Sequence, residues 1–211
     1  MTISQTIWQY LAANDYWKEA VLVFSSLKDD EDARDAIRDL IISKIQYIKS
    51  SSVDKEKYVT TVLKLPREII YEAVAIQKNK EKDYWGECEA YIEVSLWANA
   101  HTVIVDHLGP TTVISNSDGD KSHLEDIIKK FPSSGLIIPD WNKGAGIYEK
   151  YLSLLKDEGE SLKDLEFLLS YLPFAKAESF EQKVPWIWCL RKWVTRFLKT
   201  PSLILPRNRR C

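Results

Sequence analysis

Apolar residues recur three or four positions apart over most of this chain. Such spacing places them on one face of an α-helix, so each series predicts a helix with one buried side. The 211 residues include only seven glycines and eight prolines, too few for the frequent turns of an all-β sandwich. The sequence therefore predicts an all-α fold. The longest single stripe consists of Ala33, Ile37, Leu40, Ile41, Ile45 and Ile48.

Breaks in this spacing divide the chain into separate helices. Each break is a cluster of turn-forming residues or a proline at a position where a helix begins or ends. Leu136, Ile137 and Ile138 could form a strand, but no second strand is predicted to pair with it. A buried extended link or a short helix is therefore expected over 137–141. The breaks lie at Asn14-Asp15, Ser50-Ser52, Pro66, Ser95, Gly109-Pro110, Asn116-Gly119 and Phe131-Pro132.

A short sequence echo favours a repeated arrangement of helix pairs. Trp17 and Trp97 are each followed, three positions later, by a small residue, Ala20 and Ala100. The separation from 17 to 97 equals two repeats of roughly forty residues, a length typical of paired-helix units. A small residue beside a large ring lets a neighbouring helix approach closely. We therefore predict an α-solenoid-like array of about ten antiparallel paired helices.

The charge balance excludes some classes of partner. With 29 Lys plus Arg against 31 Asp plus Glu, the formal net charge is −2, so no net attraction to nucleic acid or anionic lipid is expected. Residues 207–211 are basic and are interpreted as a solvated terminus. No stretch resembles a signal peptide or is long enough to span a bilayer, so membrane insertion is not expected. Cys88, Cys189 and Cys211 are too widely separated to predict disulfides or a zinc site.

Few residues are suited to catalysis. His101 and His107 are six positions apart, on opposite faces of one predicted helix, so they cannot bind a metal together as an i, i+4 pair would. His101 lies on the apolar stripe of its helix and is interpreted as a hydrogen-bonded core or groove histidine. Cys88 shares a stripe with Trp85 and Ile92 and is interpreted as a small buried apolar residue.

Two short motifs resemble ligand-binding loops but lack the required spacing. Lys143-Gly144-Ala145-Gly146 matches neither phosphate-loop signature and is interpreted as a turn before a helix. Asp118-Gly119-Asp120 has no glutamate at the closing position of a calcium loop and is interpreted as a turn. We therefore predict no enzymatic activity, no cofactor, no bound metal and no small-molecule substrate.

The aromatic residues are the conspicuous feature of the composition. Eight tryptophans and ten tyrosines are present, and aromatic side chains are enriched both in cores and at the centres of protein interfaces. Trp186, Trp188 and Trp193 fall on different sides of the final predicted helix, which is therefore apolar nearly all round. That helix is either deeply buried or presents a face to a partner. The three tryptophans are our candidate partner-binding residues.

The region from Leu65 to Leu155 contains several recognisable motifs. They are Leu65-Pro66, Tyr84, Trp97-x-x-Ala100-His101, His107-Leu108-Gly109-Pro110, Pro139 to Tyr148 and Tyr151-Leu152. In this order they resemble the scaffold nucleoporins called nucleoporin ninety-six in animals and one-forty-five-C in yeast. Ala98 and Asn99 stand where that family usually has Asn and Glu. Residues 1–64 resemble the helices that precede this region, with only Trp17 to Ala20 as a motif, and 156–211 match in helical character alone.

The resemblance implies a function in nuclear pore architecture. It implies that residues 1–211 form a single helical tail module, either a fragment or a reduced version of the family's tail, with 65–155 as its family-like core. The implied location is the nuclear pore complex at the nuclear envelope. The implied partners are other scaffold nucleoporins of the outer-ring coat, the Y-complex, with contacts to two other helical tails at its hub. The module would support transport of protein and mRNA by assembling the pore.

Two other readings remain open at this stage. Helical-repeat adaptors and vesicle-coat subunits share the paired-helix architecture, and architecture alone does not determine the assembly. A small helical hydrolase or transferase would require a polar pocket in which His101 meets a carboxylate such as Asp106 or Glu93.

Overall fold

Helices joined by short turns and links make up the described part of the structure. A computed structural model describes residues 16–25, 31–49, 54–132, 138–156 and 162–171, together with Arg191. All regular secondary structure in these ranges is helical, which confirms the all-α class. The α-helices are α1 (Trp17–Ser25), α2 (Glu31–Lys49), α3 (Asp54–Thr61), α4 (Arg67–Lys80), α5 (Tyr84–Glu93), α6 (Trp97–Val103), α7 (Gly109–Ser115), α8 (Asp118–Lys130), α9 (Ala145–Lys156) and α10 (Leu162–Tyr171).

Most helix ends agree with the predicted breaks. α2 ends at Lys49, directly before the serine cluster, and Pro66 immediately precedes α4. α8 ends at Lys130, where Phe131 turns to extended backbone. The helix predicted around Ile7 lies outside the described residues, as does the final predicted helix apart from Arg191.

The chain divides into two compact units, Met1–Leu96 and Trp97–Cys211. Within the first unit, α2 packs against α1, α3 and α4, and α4 packs against α5. Within the second unit, α8 packs against α7 and α9, and α9 packs against α10. Packing therefore joins helices that are near one another along the chain. The solenoid-like arrangement of the whole chain stays a prediction.

The first unit has a core of aliphatic side chains at helical spacing. Removing each isoleucine side chain from water contributes about 1.5 to 3 kcal/mol. The buried core of this unit consists of Trp17, Ala20, Val21, Ile37, Leu40, Ile41, Ile45, Ile48, Val59, Leu63, Leu65, Ile70 and Ala73.

No helix in the described ranges combines the length and the apolarity needed to cross a lipid bilayer.

The predicted helix end at Gly109-Pro110 is wrong. α6 continues through a π-helical turn, Ile104–Leu108, into α7, which contains Pro110 near its start. In this turn the Gly109 N–H donates to the Ile104 carbonyl, five residues back. Proline lacks an N–H and normally breaks a helix. The π turn shifts the hydrogen-bond register just before the proline, so the helical path persists to Ser115.

The predicted turn at 116–120 is only partly correct. Asn116 has a left-handed backbone conformation (φ 52°) and ends α7. Ser117 is the N-cap of α8, and its hydroxyl accepts a hydrogen bond from the Asp120 N–H at 3.4 Å. Asp118-Gly119-Asp120, interpreted as a turn, instead forms the first turn of α8. Acidic residues are favoured there because they interact with the positive end of the helix dipole.

The segment before α9 is a link with a short helix, as expected. Ile138 is buried, Asp140 has a positive φ of 60°, and Trp141–Lys143 form one 3₁₀ turn. α9 begins at Ala145, so the glycine-containing motif at 143–146 is the predicted turn before a helix.

Candidate partner-binding surfaces

His101 is a buried structural residue in the second unit. Only 8% of its surface is exposed, and its Nε2 accepts a hydrogen bond from the Ala145 N–H at 3.1 Å. The first N–H groups of a helix have no partner within the helix, so His101 supplies one at the start of α9. Its ring also stacks on Trp141, with 5.6 Å between centroids. The prediction of a hydrogen-bonded core histidine is confirmed.

Gly144 makes this contact possible. A Cβ at position 144 would clash with Nε2 of His101 and with the Val105 side chain. Only glycine therefore lets the chain pass close enough to His101 for the Ala145 N–H to reach it. The glycine serves helix packing, and no phosphate-binding loop is formed.

Asp106 and Glu93 are the carboxylates that a catalytic His101 would require, and the structure gives each of them a different environment. Asp106 is exposed on the π turn. Glu93 belongs to the first unit, where its carboxylate pairs with Arg67 at 3.2 Å. Within the described ranges, no three His, Cys, Asp or Glu side chains gather in a group that could hold a metal ion. Cys88 is buried and does not form a disulfide, as expected.

Trp186, Trp188 and Trp193 lie outside the described residues, so their role stays a prediction. Other described residues have exposed large apolar side chains. Single residues of this kind are common on protein surfaces and do not by themselves define a binding site. They are Tyr16, Leu22, Val23, Tyr47, Val62 and Ile114.

The described residues of the first unit include a groove between α4 and α5. Its volume is about 610 Å³. One wall is formed by α4 and the other by α5, and Asp83 lies in the short connection between them. We call it the α4–α5 groove. Its lining residues are Tyr71, Val74, Lys78, Asp83, Trp85, Gly86, Glu89, Ala90 and Glu93.

One end of the groove is held by an ion pair that also caps α5. The Lys78 ammonium contacts the Asp83 carboxylate at 2.8 Å, and the other Asp83 oxygen accepts from the Gly86 N–H at 3.0 Å. The hydrogen bond from Lys78, followed by that from Gly86, lowers the pKa of Asp83. The same contact raises the pKa of Lys78. A capping carboxylate of this kind fixes where the helix begins.

The other end of the groove holds a cation supplied by the chain itself. The Arg67 guanidinium lies over the Tyr71 ring at 5.3 Å and hydrogen-bonds the Tyr71 hydroxyl at 3.4 Å and Glu93 at 3.2 Å. These contacts, led by that with Tyr71, raise the pKa of Arg67. The combination of an aromatic face and a carboxylate is one that binds arginine or lysine.

Sequence reasoning did not identify this groove. Tyr71, Val74 and Lys78 follow helical spacing, which indicates one face of α4. Their spacing cannot show whether another helix covers that face, because coverage depends on how α4 and α5 cross.

The described part of the chain is thus an all-helical protein in which the buried His101 supports the start of α9. A family model described as Nuclear protein 96 matches residues 3–77. Nucleoporin NUP145 of Saccharomyces cerevisiae is 28% identical over 154 residues, which are 72% of this chain and 11% of that protein. Nucleoporin nup189 of Schizosaccharomyces pombe is 30% identical over 102 residues, 48% of this chain and 6% of that protein. Nuclear pore complex protein NUP96 of Arabidopsis thaliana is 25% identical over 125 residues, 57% of this chain and 12% of that protein.

These matches support a Nup96/Nup145C-like module in this chain, and they confirm the resemblance to these nucleoporins. The alignments span between 6% and 12% of the length of these relatives. The family model covers the first helices, where few motifs were recognised, whereas the quoted motifs lie mainly downstream of it.

Proposed function

We propose that this chain is a structural scaffold constituent of the nuclear pore complex, located at the nuclear envelope, and that it belongs to the outer-ring coat, the Y-complex. The observation that carries the proposal is the alignment with a yeast nucleoporin over 72% of the chain. The chain's role is architectural, not enzymatic. By contributing to pore assembly, it supports the passage of protein and mRNA between nucleus and cytoplasm.

The packing of the helices suits an architectural role. In each unit, most of the strong helix contacts join helices near one another along the chain, as in arrays of stacked helix pairs. Such arrays have apolar faces at their ends and sides that other subunits can cover. We propose that the chain docks in this way with two other helical tails of scaffold nucleoporins, through Trp186, Trp188 and Trp193.

Localisation tests the first part of this proposal. The full chain, carrying a fluorescent tag in cells that naturally contain it, is expected to give a ring at the nuclear envelope. Cross-linking followed by mass spectrometry should identify nucleoporins as direct neighbours. Localisation to cytoplasmic vesicles with coat subunits as neighbours would instead support an adaptor or vesicle-coat function.

A triple substitution tests the docking residues. Trp186, Trp188 and Trp193 are changed together to alanine, and the recovery of nucleoporin neighbours is measured. We expect the variant to lose these neighbours, because buried aromatic residues dominate binding energy at interfaces. A matched variant with phenylalanine at the same positions should keep part of the binding. Undiminished recovery with a folded triple-alanine variant would contradict the assignment.

A further inference from the structure

The α4–α5 groove has the form of a site for one more helix. On α5, the wall residues from Trp85 to Glu93 extend over about 12 Å, slightly more than two helical turns. On α4, Tyr71, Val74 and Lys78 form a parallel wall. Two helices that leave an open trough between them can accept a third helix along it.

The lining of the groove combines charged side chains with apolar residues on which an incoming helix could pack. Gly86 and Ala90 present almost no side chain, and they are one turn apart on α5. Tyr71 and Val74 pack against the core with part of their surface and line the groove with the rest, so they are half-buried. Trp85 is also half-buried. Small residues flanked by aromatic rings can receive the large apolar side chains of an incoming helix.

The charges of the groove favour a basic partner. Its lining contains three carboxylates, Asp83, Glu89 and Glu93, and one ammonium, that of Lys78. With the Arg67 guanidinium at its end, carboxylates outnumber cations by three to two. Complementary charge therefore selects a helix with lysine or arginine beside its apolar stripe.

Arg67 shows the chemistry that such a partner would use. Its guanidinium already contacts the ring and hydroxyl of Tyr71 and the carboxylate of Glu93 at the end of the groove. The side chains of Arg67 and Glu93 are both more than half exposed, at 56% and 54%. An exposed ion pair of this kind contributes little to stability, so a partner's cation can join or replace it at small cost.

We propose that the α4–α5 groove binds an amphipathic helix of a partner protein, with its apolar stripe on Tyr71, Val74 and Trp85 and its Lys or Arg residues against Glu89 and Glu93. This inference rests on the proposed scaffold function, for which it specifies the chemistry of one binding partner.

Binding of synthetic peptides to the full chain tests this inference. The probe is a fluorescein-labelled helical peptide with leucines at positions i, i+3 and i+7 and lysines beside them. Its counterpart has glutamate at every lysine position. Fluorescence anisotropy should show that the chain binds the basic peptide at least about tenfold more tightly than the acidic one. Binding of the basic peptide should weaken as salt is raised.

Variants locate the binding site. Glu89→Lys combined with Glu93→Lys should weaken binding of the basic peptide about tenfold and improve binding of the acidic one. The control, Glu19→Lys combined with Asp39→Lys, makes the same charge change at exposed positions on α1 and α2 and should leave the basic peptide's affinity nearly unchanged. Circular dichroism must show native helix content for both. A photoreactive group at the centre of the basic peptide should cross-link to α4 or α5.

Three results would overturn the inference. They are equal affinity for the two peptides, an equal effect of the two double variants, and cross-links confined to other helices. A concentration-dependent dimer that the groove variant abolishes would show that a second copy of the chain occupies the groove, and so would also contradict it. If the peptides fail while the tagged chain still marks the nuclear envelope, the groove inference fails and the scaffold function stands.

Discussion

The two units of this protein are stabilised in different ways. In the first unit, a stripe of aliphatic residues on α2 packs against apolar residues of α1 and α4. In the second unit, single positions control the packing. Gly109 makes room for the Tyr148 ring, and Gly144 lets His101 reach the Ala145 N–H. The stability of the first unit should therefore fall mainly when buried apolar volume is removed. The stability of the second unit should fall when individual atoms are removed from or added to these close contacts.

The largest effect is expected from Ile41→Ala in the first unit. Ile41 is fully buried, so truncation should lower the free energy of unfolding by about 2 to 5 kcal/mol. Hydrogen exchange should show the loss of protection in residues 16–96. As the control, Ile41→Val should cost only about 0.5 to 1.5 kcal/mol. Similar losses for both variants would show that volume does not govern this core.

Gly109→Ala tests the close approach in the second unit. Alanine normally favours a helix more than glycine, but its Cβ at this position would clash with the Tyr148 ring. We expect the free energy of unfolding to fall by about 2 kcal/mol, as is typical of overpacking. In the control, Gly119→Ala, the nearest contact of the new Cβ is Ser117 Oγ at 3.6 Å, an ordinary distance. That control should be neutral or stabilising in urea denaturation. Stabilisation by Gly109→Ala would refute the proposed packing.

His101→Ala should have a somewhat smaller effect. It removes the imidazole that accepts the hydrogen bond from the Ala145 N–H, together with the stacking on Trp141. We expect a loss of about 1.5 kcal/mol, within the range for a buried donor left without a partner. Hydrogen exchange at the first turn of α9 should accelerate. His123→Ala, at an exposed position on α8, is the control and should leave that exchange unchanged. Equal exchange in the two variants would count against the structural role of His101.

The smallest effect is expected from the charge of Asp83 in the first unit, whose contribution to stability should depend on pH. Its pKa is lower in the folded protein than in the unfolded chain, chiefly because of the hydrogen bond from Lys78. Its contribution to stability is therefore complete above its ordinary pKa of about 3.9 and is lost as the pH falls through the lowered value. Asp83→Asn keeps a capping side chain but removes the charge. The stability difference between the native chain and this variant, from denaturation at several pH values, should shrink below about pH 4. A difference independent of pH would show that the charge of Asp83 contributes nothing.

Local pattern was sufficient to predict most helices and several roles of single residues. The stripe from Ile37 to Ile48 on α2 is buried as its spacing predicts. His101 was correctly interpreted as a core histidine because it lies on an apolar face. These features depend on residues within one or two turns of each other, so they can be predicted from the spacing of residues along the sequence.

Only the tertiary structure decided where distant residues meet. Pro110 looked like a helix end, yet the helix continues because a π turn changes the hydrogen-bond register before it. The contact of His101 with Ala145 joins residues 44 positions apart, and the α4–α5 groove depends on the crossing of two helices. The amino-acid sequence determined the helical class of the protein, through the spacing of its apolar residues, and the nucleoporin resemblance, through its motifs. Contacts between helices remained undetermined, because they depend on crossing geometry and side-chain volume, which no local pattern encodes.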